Sequence, residues 1–186
     1  MTSPRIAVKL VFFINGFVYA NLASRFPRIQ ELFQLDNGML GLVLLCSSFG
    51  ALFAMPFTGW LIVQNGSRKI GIIALFAYCL IFPVVPFMNG FAGLAMIFFV
   101  MGVTAGMLDI SMNAQAIMIE QQLRKPIMTS FHALFSIGMG AGALTGALFI
   151  KLQSSLTFHF AIITAGSVIA ALWVRYHYIH DKPKDK

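Results

Sequence analysis

The chain has 186 residues, of which 59% are hydrophobic and 10% are charged, against roughly 25% charged in an average soluble domain. This composition excludes an ordinary soluble protein and predicts an integral membrane protein. The net charge of +7 follows from the sorting of charges described below and does not indicate nucleic-acid binding. We find no nucleophile–base pair, phosphate-binding loop or metal-ligand spacing, and we therefore predict no enzyme activity and no cofactor.

Six segments are long and apolar enough to cross a bilayer as helices. A hydrocarbon core of ~30 Å needs ~20 helical residues at ~1.5 Å each, and these segments are apolar on all sides, as lipid requires. We predict an all-α polytopic membrane protein with a six-helix bundle over residues 1–178 and a polar cytoplasmic tail over residues 179–186. The predicted spans are 6–23, 39–63, 70–88, 94–119, 131–150 and 160–178.

The positive residues are sorted between the two sides of the predicted bundle. Because Lys and Arg in short loops stay in the cytoplasm, we predict cytoplasmic N- and C-termini, location in the cell (inner or plasma) membrane, and contact with anionic lipid. An alternative is a cleaved secretory signal, which the first span resembles and which would leave five spans. The inner side holds Arg5, Lys9, Arg68, Lys69, Arg124, Lys125, Arg175, Lys182, Lys184 and Lys186, and the outer side holds Arg25, Arg28 and Lys151.

The connection between the second and third spans carries the most specific local pattern, GWLIVQNGSRKI from Gly59 to Ile70. Gly66 permits the chain to reverse direction at the membrane surface. Arg68 and Lys69 hold the turn in the cytoplasm. Gly59 allows close approach of another helix.

This pattern resembles the signature between helices two and three of the major facilitator superfamily, G-x-L-x-D-x-x-G-x-[RK]-[RK]. The acidic position of the signature is Val63 here, so the acid that helps to latch the two halves of family members is missing or supplied otherwise. The resemblance implies the N-terminal six-helix half of a twelve-helix transporter, built from two inverted three-helix repeats. The matching residues are Gly59, Leu61, Gly66, Arg68 and Lys69.

A short repeated pattern is consistent with those inverted repeats. Phe12, Phe13 and Gly16 in the first span have the same spacing as Phe98, Phe99 and Gly102 in the fourth.

Asp109 is the one ionisable residue deep within a predicted span, ~4 Å from the middle of the fourth. A carboxylate there costs at least ~2.5–3.5 kcal/mol on insertion, so it normally faces the bundle interior or a cavity. Asn113 follows at i+4 on the same face, and Ser111 and Gln115 widen the polar sector. Two interpretations stay open: a substrate or proton site, and a structural hydrogen bond between helices.

The fourth span also resembles the corresponding helix of the fucose-permease-like branch, through Gly102, Gly106, Asp109 and Asn113. In that branch the acid serves proton-coupled sugar uptake, and a second acid lies in the first helix. This chain has Asn15 and Asn21 in its first span instead. An amide can bind a sugar hydroxyl but cannot carry a proton, so proton coupling would depend on Asp109 alone.

In the fifth span, Gly138, Gly142 and Gly146 recur every fourth residue and predict tight helix packing, as do Gly102 and Gly106. His159, His177 and His180 are expected to be interfacial and solvated.

The resemblance implies secondary transport of a small polar solute, sugar-like or a related metabolite, with proton coupling, by alternating access. Asp109, Asn113, Asn15, Asn21 and Gln115 are the predicted substrate- and proton-binding residues. Because one bundle has no opposing wall, a second six-helix half is the expected partner, either a copy of this chain or a separate chain. The alternative is a transport-inactive fragment or a membrane interaction protein that retains the half-fold.

Overall fold

The computed structural model describes residues 2–181, and these are almost entirely helical. Six of the helices are long and apolar enough to cross a membrane, so the predicted all-α fold with six spans is confirmed. The α-helices are α1 (Thr2–Ala23), α2 (Phe26–Phe33), α3 (Asn37–Asn65), α4 (Ser67–Ile81), α5 (Gly90–Leu123), α6 (Met128–Lys151) and α7 (Leu156–His177).

Short features connect the spans. The amphipathic α2 lies between the first two spans and buries Ile29. A 3₁₀ segment, Phe82–Phe87, continues α4. Its prolines, Pro83 and Pro86, lack the N–H groups that an α-helix would need there.

Two helix pairs make the closest contacts in the bundle: α1 with α6, and α3 with α5. Glycines lie at both contacts. A Cβ added to Gly138 or Gly142 of α6 would overlap the carbonyl oxygen of Phe13 or Phe17 in α1. Because glycine has no side chain, the two backbones can contact each other directly. Membrane helices gain packing energy in this way without a hydrophobic driving force.

The remaining predicted packing glycines also lie against neighbouring segments. A Cβ on Gly102 or Gly106 of α5 would overlap the backbone of α3 at Ser47 or Ala51. Gly146 lies against the side chain of Ser24, directly after α1.

The repeated Phe-Phe-x-x-Gly pattern occupies equivalent places in the two helix pairs. The Phe13 carbonyl of α1 faces Gly138 of α6, and the Phe99 carbonyl of α5 faces Gly50 of α3. Three residues after these phenylalanines, Gly16 of α1 faces the Phe135 carbonyl and Gly102 of α5 faces the Ser47 carbonyl. Each three-helix repeat thus packs its first helix against the second helix of the other repeat in the same register.

Residues 179–181 are packed against the bundle. Gln115 of α5 donates to the Ile179 carbonyl and accepts from the Ile179 N–H, at 3.1 and 3.0 Å. The remainder of the predicted polar tail, residues 182–186, lies outside the described residues.

The glycine contact can be tested with a matched pair in α6. Gly138→Ala places a methyl group on the Phe13 carbonyl, and overpacking costs about 1–3 kcal/mol. Nothing lies within 4 Å of a Cβ added to Gly140, so Gly140→Ala keeps the gain in helix propensity of about 1 kcal/mol. We expect Gly138→Ala alone to lower the thermal unfolding midpoint in detergent. Equal midpoints for the two variants would contradict the packing described above.

Candidate functional site

The acidic residues divide into those with a structural partner and one without. Three of the five described acids accept backbone N–H groups at the start of a helix, where carboxylates are favoured, and a fourth, Glu31, pairs with Arg28 at 2.8 Å. Asp109 does neither. The three capping acids are Asp36 for α3, Glu120 for α6 and Asp181 for α4.

Asp109 instead borders a cavity of about 290 Å³ within the bundle. Asn15 and Tyr19 of α1, Tyr78 of α4 and Phe135 of α6 also line it. Tyr19, Tyr78 and two alanines are shared with an adjoining cavity of about 270 Å³ that extends toward α2. Together the two cavities form a cleft along the middle of the bundle.

The hydrogen bonds of Asp109 come from its own helix. Asn113 Nδ2 donates to the Asp109 backbone oxygen at 2.8 Å and to its Oδ1 at 3.3 Å. His132, exposed near the start of α6, is a basic side chain within electrostatic range of this carboxyl. No structural bond to another helix uses the carboxylate among the described residues, which favours the site interpretation over the interhelical one.

Asn15 lines the same cavity as Asp109. Its Nδ2 donates to the Met112 sulfur at 3.8 Å, a weak acceptor. Its backbone oxygen accepts from the Tyr78 hydroxyl at 3.3 Å. Sequence reasoning missed Tyr19 and Tyr78, although a tyrosine within an apolar span is a detectable polar signal.

Asn21 belongs to a different place. Its side chain is fully buried and bonds to His159 Nε2 at 2.8 Å. Arg25 Nε donates to His159 Nδ1 at 3.0 Å, and Arg25 Nη2 donates to the Ser154 carbonyl. His159 is therefore buried rather than solvated, and Asn21 is committed to joining α1 to α7.

Gln115 is also separated from the cavity. It is fully buried, donates to Ser67 Oγ at 2.8 Å and bonds both backbone groups of Ile179. All of its main bonding groups are used, so it fixes the junction of α4, α5 and the segment after α7. The structure thus brings Asp109, Asn113 and Asn15 together, but not Asn21 or Gln115.

The loop between α3 and α4, which carries the signature pattern, contains a backbone conformation that favours glycine. Gly66 has φ +84°, in the region that favours glycine, and Leu61 is half-buried. Nothing lies within 4 Å of a Cβ added to Gly59, so within the described residues no helix uses the close approach expected there. Val63, at the acidic position of the signature, is exposed.

Asp181 supplies a carboxylate to this loop from the other end of the chain. Its oxygens accept the backbone N–H groups of Ser67 and Arg68, the latter at 3.1 Å. Burial raises the pKa of the Asp181 carboxyl, but these hydrogen bonds favour the charged form and leave its pKa below the ordinary value. Arg68 also donates to the Arg175 carbonyl at 2.9 Å, whereas Lys69 is exposed.

The fold, the membrane-spanning helices and the loop define a polytopic membrane protein of the transporter class. Residues 9–186 match the Major Facilitator Superfamily, and the chain belongs to this family. The family resemblance inferred from the sequence is confirmed, whereas the fucose-permease-like branch stays a prediction.

Three curated relatives show the same relationship. An uncharacterized MFS-type transporter of Yersinia pestis is 36% identical over 81% of this chain and 40% of its own length. An uncharacterized transporter of Sinorhizobium fredii is 27% identical over 91% of this chain and 45% of its own. The membrane protein MosC of Rhizobium meliloti is 30% identical over 94% and 42%. The chain thus spans less than half the length of the curated relatives it matches, and the names describe transporters or a membrane protein, not enzymes.

The Asp181 cap leads to a prediction about pH. Asp181→Ala removes the acceptor and should cost about 1 kcal/mol of stability, whereas Asp181→Asn keeps one acceptor and should cost less. Folding lowers the pKa of Asp181. The stability that its charge contributes is therefore fully present above the pKa of the unfolded chain, about 3.9. It is lost as the pH falls through the pKa of the folded protein. Unfolding midpoints measured from pH 7 to pH 3 should show wild type and Asp181→Ala converging only below about pH 4. A gap that stays constant to pH 3 would contradict the charge-based cap.

Proposed function

We propose that this chain forms one six-helix half of a secondary transporter for a small polar solute. In this proposal Asp109 binds a proton or a substrate hydroxyl. The observation that carries it is the contrast among the acids: four described acids have a structural partner, whereas Asp109 borders a cavity and bonds to Asn113 of its own helix. A charge retained within a span without a structural partner is expected to serve transport.

The lining of the cavity supports a neutral, hydroxyl-rich solute. No Lys or Arg borders it among residues 2–181, so an anion would meet the Asp109 carboxylate without a permanent positive charge in the lining. Asn15, Tyr19 and Tyr78 present amide and phenol groups that bond to hydroxyls. The weak bond from Asn15 to a sulfur leaves its amide available for a stronger partner. These features favour a sugar-like solute or a related metabolite.

The cost of an isolated charge supports proton coupling. A carboxylate within the membrane is expensive, and protonation removes that cost when the solute leaves or the cavity closes. Asp109 is the proton-carrying acid in this proposal, since the first span offers amides instead of an acid. Asn113 holds the carboxyl in place from one turn away.

The uncovered surfaces support pairing with a second half. In the most apolar stretch of α3 and of α6, only 17% of the residues are buried, against 61% in that of α1. Both helices border the cavity and also have uncovered sides. Rocking of two such halves about a midplane site is the expected mechanism of alternating access. The expected partner is a second six-helix half.

The same facts favour a second candidate function. A chain that spans less than half of its relatives and exposes α3 and α6 is also consistent with a membrane interaction protein that keeps the half-fold without transport. The two candidates differ in whether solute uptake depends on Asp109.

Transport is tested by uptake of radiolabelled hexoses, 6-deoxyhexoses and polyols into vesicles that contain the chain with its partner. We expect Asp109→Asn to reduce proton-driven accumulation to the level of empty vesicles. The matched control is Asp36→Asn, the same chemical change at an exposed helix cap, and it should retain uptake.

Counterflow in the same vesicles separates the two roles of Asp109. Exchange that persists in Asp109→Asn assigns the proton role, and exchange that is lost assigns substrate binding. Wild-type accumulation in Asp109→Asn would refute the site. A stable complex that takes up none of these solutes would favour the interaction protein.

Pairing is tested by cross-linking from single cysteines after Cys46 and Cys79 are replaced. Leu144 on α6 and Phe53 on α3 are 75% and 58% exposed, and Ile169 on α7 is a control at 69%. We expect Leu144→Cys and Phe53→Cys to give cross-linked dimers or heterodimers in native membranes, with little from Ile169→Cys. Cross-linking from Ile169→Cys alone would place the partner on the wrong face.

A further inference from the structure

A second cavity lies at the bundle end where α4 begins and α7 ends. Its volume is about 400 Å³, within the range of ligand pockets, about 300–1,000 Å³. Arg68 and Lys69 of α4, Arg175 of α7 and His180 border it. It shares no residue with the cavity at Asp109, so the transport proposal does not account for it.

The charges of this cavity favour an anion. Three cations, Arg68, Lys69 and Arg175, border it against one carboxylate, that of Asp181. Both Asp181 oxygens already accept backbone N–H groups. No Arg or Lys side chain in the described part of the cavity forms an ion pair with it, so no carboxylate there neutralises the cationic charges.

The cations are also held in place, which distinguishes the site from a loose basic surface. The Arg68 guanidinium contacts the His180 ring and donates to the Arg175 carbonyl at 2.9 Å. Lys69 Nζ donates to Asn65 Oδ1 at 3.4 Å, and the Arg175 guanidinium lies 5.4 Å from the Tyr176 ring centre. The contacts of Arg68 join the end of α7 to the start of α4.

The apolar part of the lining indicates the kind of anion. Ile72 and Ile73 follow Arg68 and Lys69 by one turn of α4 and lie deeper along the span. Ile73 is 51% exposed, so it is open to acyl chains. Positive charge at the membrane surface above an aliphatic wall matches the order of phosphate and acyl chain in a phospholipid. A free phosphate ion has no apolar group that could contact the aliphatic part.

We propose that this cavity binds the headgroup of an anionic phospholipid, with the phosphate on Arg68, Lys69 and Arg175 and an acyl chain along Ile72 and Ile73. Basic pockets between membrane helices bind such headgroups by this combination of charge and depth. In the predicted orientation the lipid belongs to the cytoplasmic leaflet. The site would join α4 to α7, the two helices that carry no residue of the α1–α6 and α3–α5 glycine contacts.

The test uses purified chain in mild detergent and native mass spectrometry. The probes are phosphatidylglycerol, phosphatidylcholine with the same acyl chains, and sodium phosphate. We expect wild type to retain phosphatidylglycerol in preference to phosphatidylcholine, and sodium phosphate at equal concentration not to displace it. Lys69→Gln with Arg175→Gln should reduce the preference by about fivefold for each charge removed.

The matched control removes two charges elsewhere at the same end. Arg124 and Lys125 are exposed between α5 and α6 and do not border the cavity. Arg124→Gln with Lys125→Gln should keep the wild-type preference. Lys69→Gln alone, at an exposed side chain, gives a second measurement if the double variant is unstable. Equal loss in the control, no preference in wild type, or displacement by sodium phosphate would each overturn the proposal.

Discussion

Direct backbone contact between α1 and α6 and between α3 and α5 positions everything else in this bundle. Lipid offers no hydrophobic force to push helices together, so they associate where small residues let their backbones meet. Gly138 against Phe13 and Gly50 against Phe99 provide that contact twice, in the same register. Residues that sit between the two pairs are held at fixed distances, and Asp109 is one of them. The cavity beside Asp109 lies between these pairs, bordered by Ala51 of α3, Gly106 of α5 and Phe135 of α6.

The use of acidic residues follows from the unpaired N–H groups at the starts of helices. A helix that begins near the membrane surface has N–H groups without partners, and Asp36, Glu120 and Asp181 satisfy them for α3, α6 and α4. Carboxylates at these ends gain from the helix dipole as well. Asp109 lies in the middle of α5 and caps no helix. Among the described contacts, no helix cap offsets the free-energy cost of placing its carboxylate in the membrane.

The fold was predictable because length and apolar composition are properties of each segment alone. The placement of Asp109 beside Asn113 was predictable for the same reason, since i and i+4 lie on one helix face. Asn21 and Gln115 were predicted for the cavity on polarity alone, and the structure puts each of them elsewhere. Their partners, His159 and Ile179, are distant along the chain. Periodicity on one helix shows which face is polar, but not which neighbour that face meets.

The loop after α3 receives a carboxylate from a distant part of the chain. The signature expects an acid at position 63, and the valine there cannot bind the start of α4. Asp181 does so from beyond α7, and the space beside Gly66 that a Cβ would need is taken by Asp181 itself. A Cβ added at position 66 would lie 3.0 Å from Asp181 Oδ1, so a side chain there would crowd the cap as well as strain the backbone at its positive φ. Because the cap comes from the segment after α7, it ties the sixth span to the third within one half, whereas the family acid latches one half to the other.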